Sequence, residues 1–282
     1  MTTRRNFIKS SGGFAVGSLL LPMACKTASL STAASKKQVG VQLYSVRKEM
    51  LADAPGTLQQ LAKLGYTQLE SARSAKGNYY GLAPKEIKKI ANDLGMTVRS
   101  GHVHIDKDWL KSVDQAAEAG QEYLIVSSMP TRGQTIENYQ KTADIFSRSA
   151  EDCKKHNIVF GYHNHEEEFD KVNGQVLYDI LLDRSDPQLV KMEMDLGWLV
   201  ITNNDPFKYF EKYPNRFPLW HLKDMNLAKK ESTEFGKGGV DIKKLVAGAG
   251  KAGLKYYFIE QEEYTSTALE SLAADIKYLQ EL

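Results

Sequence analysis

From Lys36 onward the chain alternates between short apolar, β-branched or aromatic runs and longer stretches whose apolar residues recur at helical spacing. The short runs predict strands at 39–44, 68–70, 97–102, 123–127, 158–163, 191–195, 219–223 and 256–261. Between them the spacing predicts helices at 55–64, 84–94 and 108–119, closed by Gly65, Gly95 and Gly120 where a C-cap needs positive φ. Further helices are expected at 136–156, 175–183, 206–212, 241–252 and 267–279. Interleaved strands and helices imply right-handed crossovers and a parallel sheet. Eight such units between Lys36 and Leu282 match an α/β (β/α)8 TIM barrel, which takes about 250 residues. A doubly wound sheet would need a glycine-rich phosphate loop after its first strand, and Gln42-Leu43-Tyr44-Ser45-Val46-Arg47 contains no glycine. No Pro/Ser-rich linker divides residues 36–282, so a single domain is expected there.

In such a barrel the chemistry lies at the C-terminal ends of the strands. The fifth predicted strand ends His163-Asn164-His165-Glu166 and the sixth ends Glu193-Met194-Asp195. The seventh ends Trp220-His221-Leu222-Lys223-Asp224, and the eighth Ile259-Glu260-Gln261-Glu262. His163, Asp195, His221 and Glu260 are each separated by about one strand–helix unit, which sets one ligand-type side chain on each of four successive strands at one rim. Two imidazoles and two carboxylates suit one divalent metal ion: Mn²⁺ first, with Zn²⁺, Co²⁺ and Mg²⁺ as the other candidates. Four of the six histidines fall in two short clusters, His102/His104 and His163/His165.

The segments G-V-Q-L-Y-S-V-R (40–47), Y-H-N-H-E-E-E-F (162–169), M-D-L-G-W (194–198), W-H-L-K-D (220–224) and F-I-E-Q-E (258–262) resemble the sugar isomerase/epimerase superfamily. That superfamily has the xylose isomerase-like TIM barrel and includes ketose 3-epimerases, inosose dehydratase and, more distantly, endonuclease IV. The resemblance covers essentially all of residues 38–282. It implies a metal held by Glu, Asp, His and Glu on strands 5 to 8. Asp195, His221 and Glu260 match in type, whereas His163 stands where the family has Glu. Imidazole can still ligate, but a simple two-carboxylate epimerase loses one of its acid/base groups.

The chemistry the resemblance implies is deprotonation next to a sugar carbonyl, giving an enediolate that a metal stabilises. Reprotonation on carbon isomerises or epimerises; expulsion of a β-leaving group is a lyase reaction, and its reverse a hydration. Glu260 is the first candidate for base as well as ligand, with His163 or His165 as the opposing acid/base. His165 has the alternative of orienting a ligand. Lys223 is expected either to neutralise the developing oxyanion or to be a surface lysine, and Asp224 to orient His221 or cap the following loop. Glu166 and Glu168 read as a solvated acidic loop rather than an acid/base pair. Gln42, Tyr44, Glu70 and His102, at the ends of strands 1 to 3, are candidates for binding sugar hydroxyls. Trp198 and Tyr80 are candidates for the apolar face a sugar ring stacks upon, or in the case of Trp198 for packing under a loop. The run Gly236-Lys237-Gly238-Gly239 is either a phosphate cradle or a flexible loop.

The N-terminus carries an address. Arg4-Arg5-Asn6-Phe7-Ile8-Lys9, followed by a modest apolar run at 14–21, resembles a twin-arginine export signal. The run is far shorter than the ~20 residues a spanning helix needs, so residues 1–35 are expected to be a cleavable signal and linker and the mature protein soluble. Leu21-Pro22-Met23-Ala24-Cys25 resembles a degraded lipoprotein box, with Pro22 where such boxes usually carry Leu, and the small residues at 29–35 suit ordinary cleavage equally well. The expected location is therefore the periplasm, with lipid anchoring at Cys25 as the variant. With Cys25 removed, Cys153 is the one remaining thiol.

Apolar residues at 42% and charged residues at 26% exclude a disordered chain, and a net charge of +2 gives no basic field for nucleic acid. The partner expected is a small carbohydrate, with self-association left open. Three functions compete: a metal-dependent isomerase or epimerase on a ketose or keto-sugar, a lyase or hydratase on 3-keto-glycosides using the same site, and a non-catalytic carbohydrate-binding barrel. The last should have lost a ligand, and this chain keeps a ligand-type residue at all four positions. DNA repair of the endonuclease IV type is disfavoured by export, by charge and by too few histidines for three metals.

Overall fold

The structure is a computed structural model described for residues 38–282; the expected signal at 1–35, with its twin arginine and Cys25, lies outside the described residues. The strands are β1 (Gly40–Gln42), β2 (Gln68–Ala72), β3 (Thr97–Val103), β4 (Tyr123–Val126), β5 (Val159–His163), β6 (Val190–Asp195), β7 (Leu219–Leu222) and β8 (Tyr256–Ile259). Each pairs in parallel with the next, and β8 pairs with β1, so the sheet closes on itself as expected. The helices that return the chain are α1 (Ala54–Leu64), α2 (Pro84–Asp93), α3 (Trp109–Ala119), α4 (Ile136–Lys154), α5 (Leu177–Arg184), α6 (Pro206–Lys212), α7 (Ile242–Ala252) and α8 (Ala268–Gln280).

Local chemistry sets these boundaries. Asp53, Thr135, Asp241 and Thr267 accept N-terminal N–H groups of α1, α4, α7 and α8 through their side chains. Gly65, Gly120 and Gly253 end α1, α3 and α7 in the left-handed conformation. The first strand stops short of the predicted Tyr44, because Gln42 Oε1 accepts the Tyr44 N–H at 3.0 Å and turns the chain into a 3-10 segment, Leu43–Val46. The fifth helix starts later than predicted because Gln175–Val176 pairs antiparallel with Lys171–Val172. Among the described residues no helix is long and apolar enough to cross a membrane.

Apolar burial falls into two bodies. A large one fills the space between strands and helices, with Phe146, Phe160, Tyr162, Tyr178, Phe210 and Trp220 among its largest members. A small one, Tyr123, Ile125, Leu219 and Phe258, is separate from it and comes from the N-terminal halves and middles of β4, β7 and β8. Nearer the C-terminal ends, the fully buried positions turn polar: Gln42, Glu70, Glu193, Asp195, His221 and Lys223 are all 0% exposed. Buried ionisable groups cost several kcal/mol each unless paired, so this half of the barrel is kept for something other than stability.

The loop after β7 is pinned rather than loose. Asp224 accepts the N–H groups of Met225, Gly236, Gly238 and Val240 at 2.8–3.0 Å. The Gly236–Gly239 turn, with Gly236 at φ 81°, therefore wraps a carboxylate of its own chain; it is neither a vacant phosphate cradle nor a flexible loop. Asp224 caps this loop and does not orient His221. Asp224–Asn226 also pairs with Glu231–Thr233, a hairpin the sequence reading did not anticipate.

Candidate active site at the C-terminal mouth of the barrel

Strand register brings the four predicted ligands together. Asp195 lies opposite His221 across β6 and β7, and His163 opposite Glu193 across β5 and β6. Glu260 follows β8 immediately, its N–H bonded to the Leu222 carbonyl at 3.1 Å. One donor atom from each of His163, Asp195, His221 and Glu260 lies within 4.8 Å of the other three, and all four residues are buried. His221 Nδ1 is 2.8 Å from Glu260 Oε2 and 3.8 Å from Asp195 Oδ2, and His163 Nε2 is 3.9 Å from the same Asp195 oxygen.

The alternation of a strand adds a second tier that sequence reasoning missed. Glu193 is two residues before Asp195 and so points the same way, one step deeper. Its Oε2 lies 2.6 Å from His102 Nε2, 3.3 Å from His221 Nε2 and 3.5 Å from His163 Nδ1. Glu70 Oε1 takes the other side, 2.6 Å from His221 Nε2, 2.8 Å from Gln42 Nε2 and 3.2 Å from His102 Nε2. Gln42, Glu70 and His102 thus stand beside His221 and underpin it; Gln42 and Glu70 are fully enclosed and do not line the mouth. The spacing E-x-D at 193–195 was the available signal for Glu193.

Burial alone would push every one of these groups toward its neutral form. For Glu193 it wins, and with the neighbouring Glu70 carboxylate raises the carboxyl to about 7. For Glu70 the His102 and His221 imidazoles outweigh burial and hold the carboxyl well below the usual range. His102 is carried up to about 9 against burial by Glu70 and Glu193, and His221 well above the usual histidine value by Glu193 and Glu260. His163 is held well below it, by burial and then by the neighbouring His221 and His102, which favours the neutral ring with a lone pair on one of its two nitrogens.

Lys223 is no surface lysine. It is 0% exposed, with Nζ 2.9 Å from Glu260 Oε2, 3.0 Å from Asp195 Oδ2 and 2.9 Å from Glu262 Oε1. The half-buried Trp198 lays its ring over this ammonium, 4.9 Å from Nζ, with the His165 ring 6.3 Å away. Tyr80 is buried, its hydroxyl given to the Leu43 carbonyl at 3.2 Å, and forms no wall of the mouth. Glu168 is not a solvated loop residue either: it accepts the Tyr162 hydroxyl at 2.7 Å and the His165 N–H at 2.6 Å. Glu166 does face outward and pairs with Lys230.

Above this network opens a cavity of about 200 Å³, lined by Tyr44, Ala72, Arg73, His102, His104, Ser127, His163, His165, Glu260 and Glu262. It is smaller than the roughly 300–1,000 Å³ of drug-sized sites, in keeping with a ligand of one ring. Arg73 was not foreseen; it follows β2 directly and pairs with Asp106 at 2.6 Å. A larger groove of about 720 Å³ between α6 and α7 holds no comparable cluster of ligand-type groups.

The residues fit a divalent cation. His163 Nδ1 is buried without a hydrogen-bond partner, Asp195 Oδ2 meets only the Lys223 ammonium at 3.0 Å, and two imidazoles with two carboxylates form a nitrogen–oxygen donor set such ions accept. A second grouping, His102, His163, Glu193 and His221, shares two of the imidazoles and lies one tier deeper. Of the carboxylates in the two groupings, Glu260 alone lines the cavity.

Residues 58–282 match the family model described as xylose isomerase-like TIM barrel. The chain belongs to that family. Within it, a solved sugar phosphate isomerase/epimerase from Parabacteroides distasonis ATCC 8503 is 31% identical and superposes with a TM-score of 0.79, covering 90% of this chain and 97% of that one. The inosose dehydratase of Geobacillus kaustophilus (strain HTA426) is 26% identical over 209 residues, 63% of this chain and 66% of that protein. The chain thus spans just under two thirds of that relative's length. A probable 3-DHS dehydratase, AsbF, from Bacillus anthracis shares the fold at 12% identity, with a TM-score of 0.71 over 86% of this chain and 98% of that one. Members similar to this chain therefore carry isomerase, epimerase and dehydratase names.

Proposed function

We propose that this protein is a metal-dependent isomerase or epimerase of a ketose or keto-sugar, working through proton removal from the carbon beside the carbonyl. The observation that carries the reading is the gathering of His163, Asp195, His221 and Glu260 from four strands at the floor of a one-ring cavity. A divalent cation held by those four would polarise the carbonyl oxygen and its neighbouring hydroxyl. Glu260, kept ionised by Lys223 and His221 despite burial, takes the proton from carbon. The Lys223 ammonium stands next to Glu260 and offsets negative charge as it develops on the substrate oxygen. His165, which lines the same cavity as Glu260, returns a proton, with the His163 ring 4.9 Å from its own. Tyr44, His102 and His104 line the same cavity and offer hydrogen-bonding groups to the remaining hydroxyls, while Trp198 encloses Lys223.

A second reading, elimination by a lyase or dehydratase, is favoured by one departure. His163 stands on β5 where the family pattern has Glu, so no β5 carboxylate faces Glu260. The similarity to inosose dehydratases supports it. Export of the chain by its N-terminal segment, with a periplasmic substrate, belongs to the same proposal.

The test is twofold. Glu260→Gln and His221→Ala are expected to lose both tight Mn²⁺ binding and turnover; retained activity in either refutes the site. Metal-loaded protein incubated in D₂O with free ketoses and with 3-keto-glucosides then separates the outcomes. Deuterium incorporation at carbon without loss of a group supports isomerisation or epimerisation, and release of water or aglycone supports elimination.

A further inference from the structure

Lys223 has a seat of its own. A Cβ placed on Gly197 would lie 3.0 Å from both Cβ and Cγ of Lys223, so the lysine stem runs through space that a glycine leaves. The Trp198 ring covers its head and Glu262 anchors it from the side. Two of its three carboxylate contacts are nevertheless made with the residues that would hold the metal. Asp195 has no oxygen to spare for this: its Oδ1 accepts the Trp198 N–H at 2.9 Å and caps the short helix Leu196–Ile201, leaving Oδ2 alone to face the two imidazoles. That Oδ2 is 3.0 Å from Lys223 Nζ. The Glu260 oxygen nearest His221 Nδ1, Oε2, is likewise the one Lys223 touches at 2.9 Å.

We propose that Lys223 is the resident cation of this site and competes with the divalent metal for Asp195 Oδ2 and Glu260 Oε2, so that it sets how tightly the metal is held. The inference rests on the metal-dependent reading above. In the metal-free protein the ammonium offsets part of the charge of the two carboxylates and keeps the site assembled. As the metal enters, Lys223 is left with Glu262 and the Trp198 face, which keeps a positive charge directly behind the Glu260 and Glu262 side chains that line the cavity. A site without Lys223 would bind metal more tightly and be less stable when empty, because repulsion among Asp195, Glu260 and Glu262 would go uncompensated.

The measurement is Mn²⁺ affinity by calorimetry of the full folded domain in the wild-type chain, in Lys223→Met and in Lys223→Gln, which keeps a polar head should the apolar variant fold poorly. Both variants are expected to bind Mn²⁺ at least tenfold more tightly, and to show a lower metal-free Tm with a larger rise on saturation. In wild-type protein with ¹⁵Nζ-labelled lysine, Zn²⁺ should shift one protected ammonium resonance that is missing from Lys223→Met. Wild-type binding with equal or weaker affinity in both variants overturns the inference while leaving the metal site standing, and so does an unmoved resonance at Zn²⁺ saturation. Absence of binding in wild type and variants alike overturns the metal-dependent reading itself.

Discussion

Glu70→Gln is the sharpest probe of how the site is built. Glu70 is fully buried on β2, far in sequence from the four ligands, yet its Oε1 lies 2.6 Å from His221 Nε2. Accepting that N–H keeps a proton on Nε2, so that the nitrogen which gives up its proton to a metal is Nδ1, facing Glu260 Oε2 at 2.8 Å and Asp195 Oδ2 at 3.8 Å. Glutamine keeps the shape but removes the charge and can turn its NH₂ toward His221, which favours the wrong tautomer. Orienting groups of this kind are typically worth about 10–100-fold in metal affinity, or roughly 1.4–2.7 kcal/mol. The same carboxylate also meets Gln42 and His102, and no water reaches it, so the metal-free protein should lose about 2–3 kcal/mol, the scale of one charge-assisted hydrogen bond. The assay is Mn²⁺ calorimetry together with urea unfolding of the metal-free chain. Gln42→Ala is the control: it loses stability through the same carboxylate but leaves the bond to His221 in place, so its affinity should stay near wild type. A Glu70→Gln protein that unfolds more easily yet binds Mn²⁺ as tightly as wild type would show that Glu70 serves only the fold.

Two further perturbations address the loops that frame the mouth. Asp275 on α8 accepts the Phe235 N–H at 2.7 Å, and burial, reinforced by Glu234 and Asp224, pushes its carboxyl up to about 7. Since the folded value exceeds the unfolded one, the folded state holds the proton more tightly, and stability falls as pH rises from about 4 through 7, by on the order of 4 kcal/mol in full. Asp275→Asn should flatten Tm against pH across that window and exceed wild type at pH 8; an unchanged profile would discount this group. Asp224→Ala leaves four backbone N–H groups, those of Met225, Gly236, Gly238 and Val240, without their acceptor and should cost about 3 kcal/mol or more by urea unfolding, with Asp224→Asn intermediate. If Asp224→Ala unfolds like wild type, the carboxylate is not what holds that loop.

The sequence was most legible where the requirement is local. A strand must be apolar and short, and a helix must be periodic and capped, so the eight units and the strand termini at His163, Asp195 and Glu260 could be read one window at a time. Lys223 illustrates the limit. Its position two residues after His221 predicts its direction, but a lysine at a strand end reads equally well as a solvated one. What buries it is Gly197 and Trp198 from the next unit back and Glu262 from the next unit on. Glu168 and Asp224 were ambiguous for the same reason: a carboxylate in a loop declares its role only when the N–H groups it accepts are in place.

The order of strands and helices follows from residue periodicity, and the barrel with its rim of ligand-type side chains from eight such units without a glycine-rich loop after the first strand, because a parallel sheet must cover its apolar faces either by closing on itself or by winding both ways. Barrel closure decided the rest. It set Glu70 and His102, from the first half of the chain, against Glu193 and His221 from the second, and forced charges into a space without water where each must find a partner. Which oxygen caps a helix, which bonds an imidazole and which is left for a cation depends on distances of a few tenths of an ångström between residues as much as 151 apart in sequence, and a linear chain carries no local record of them.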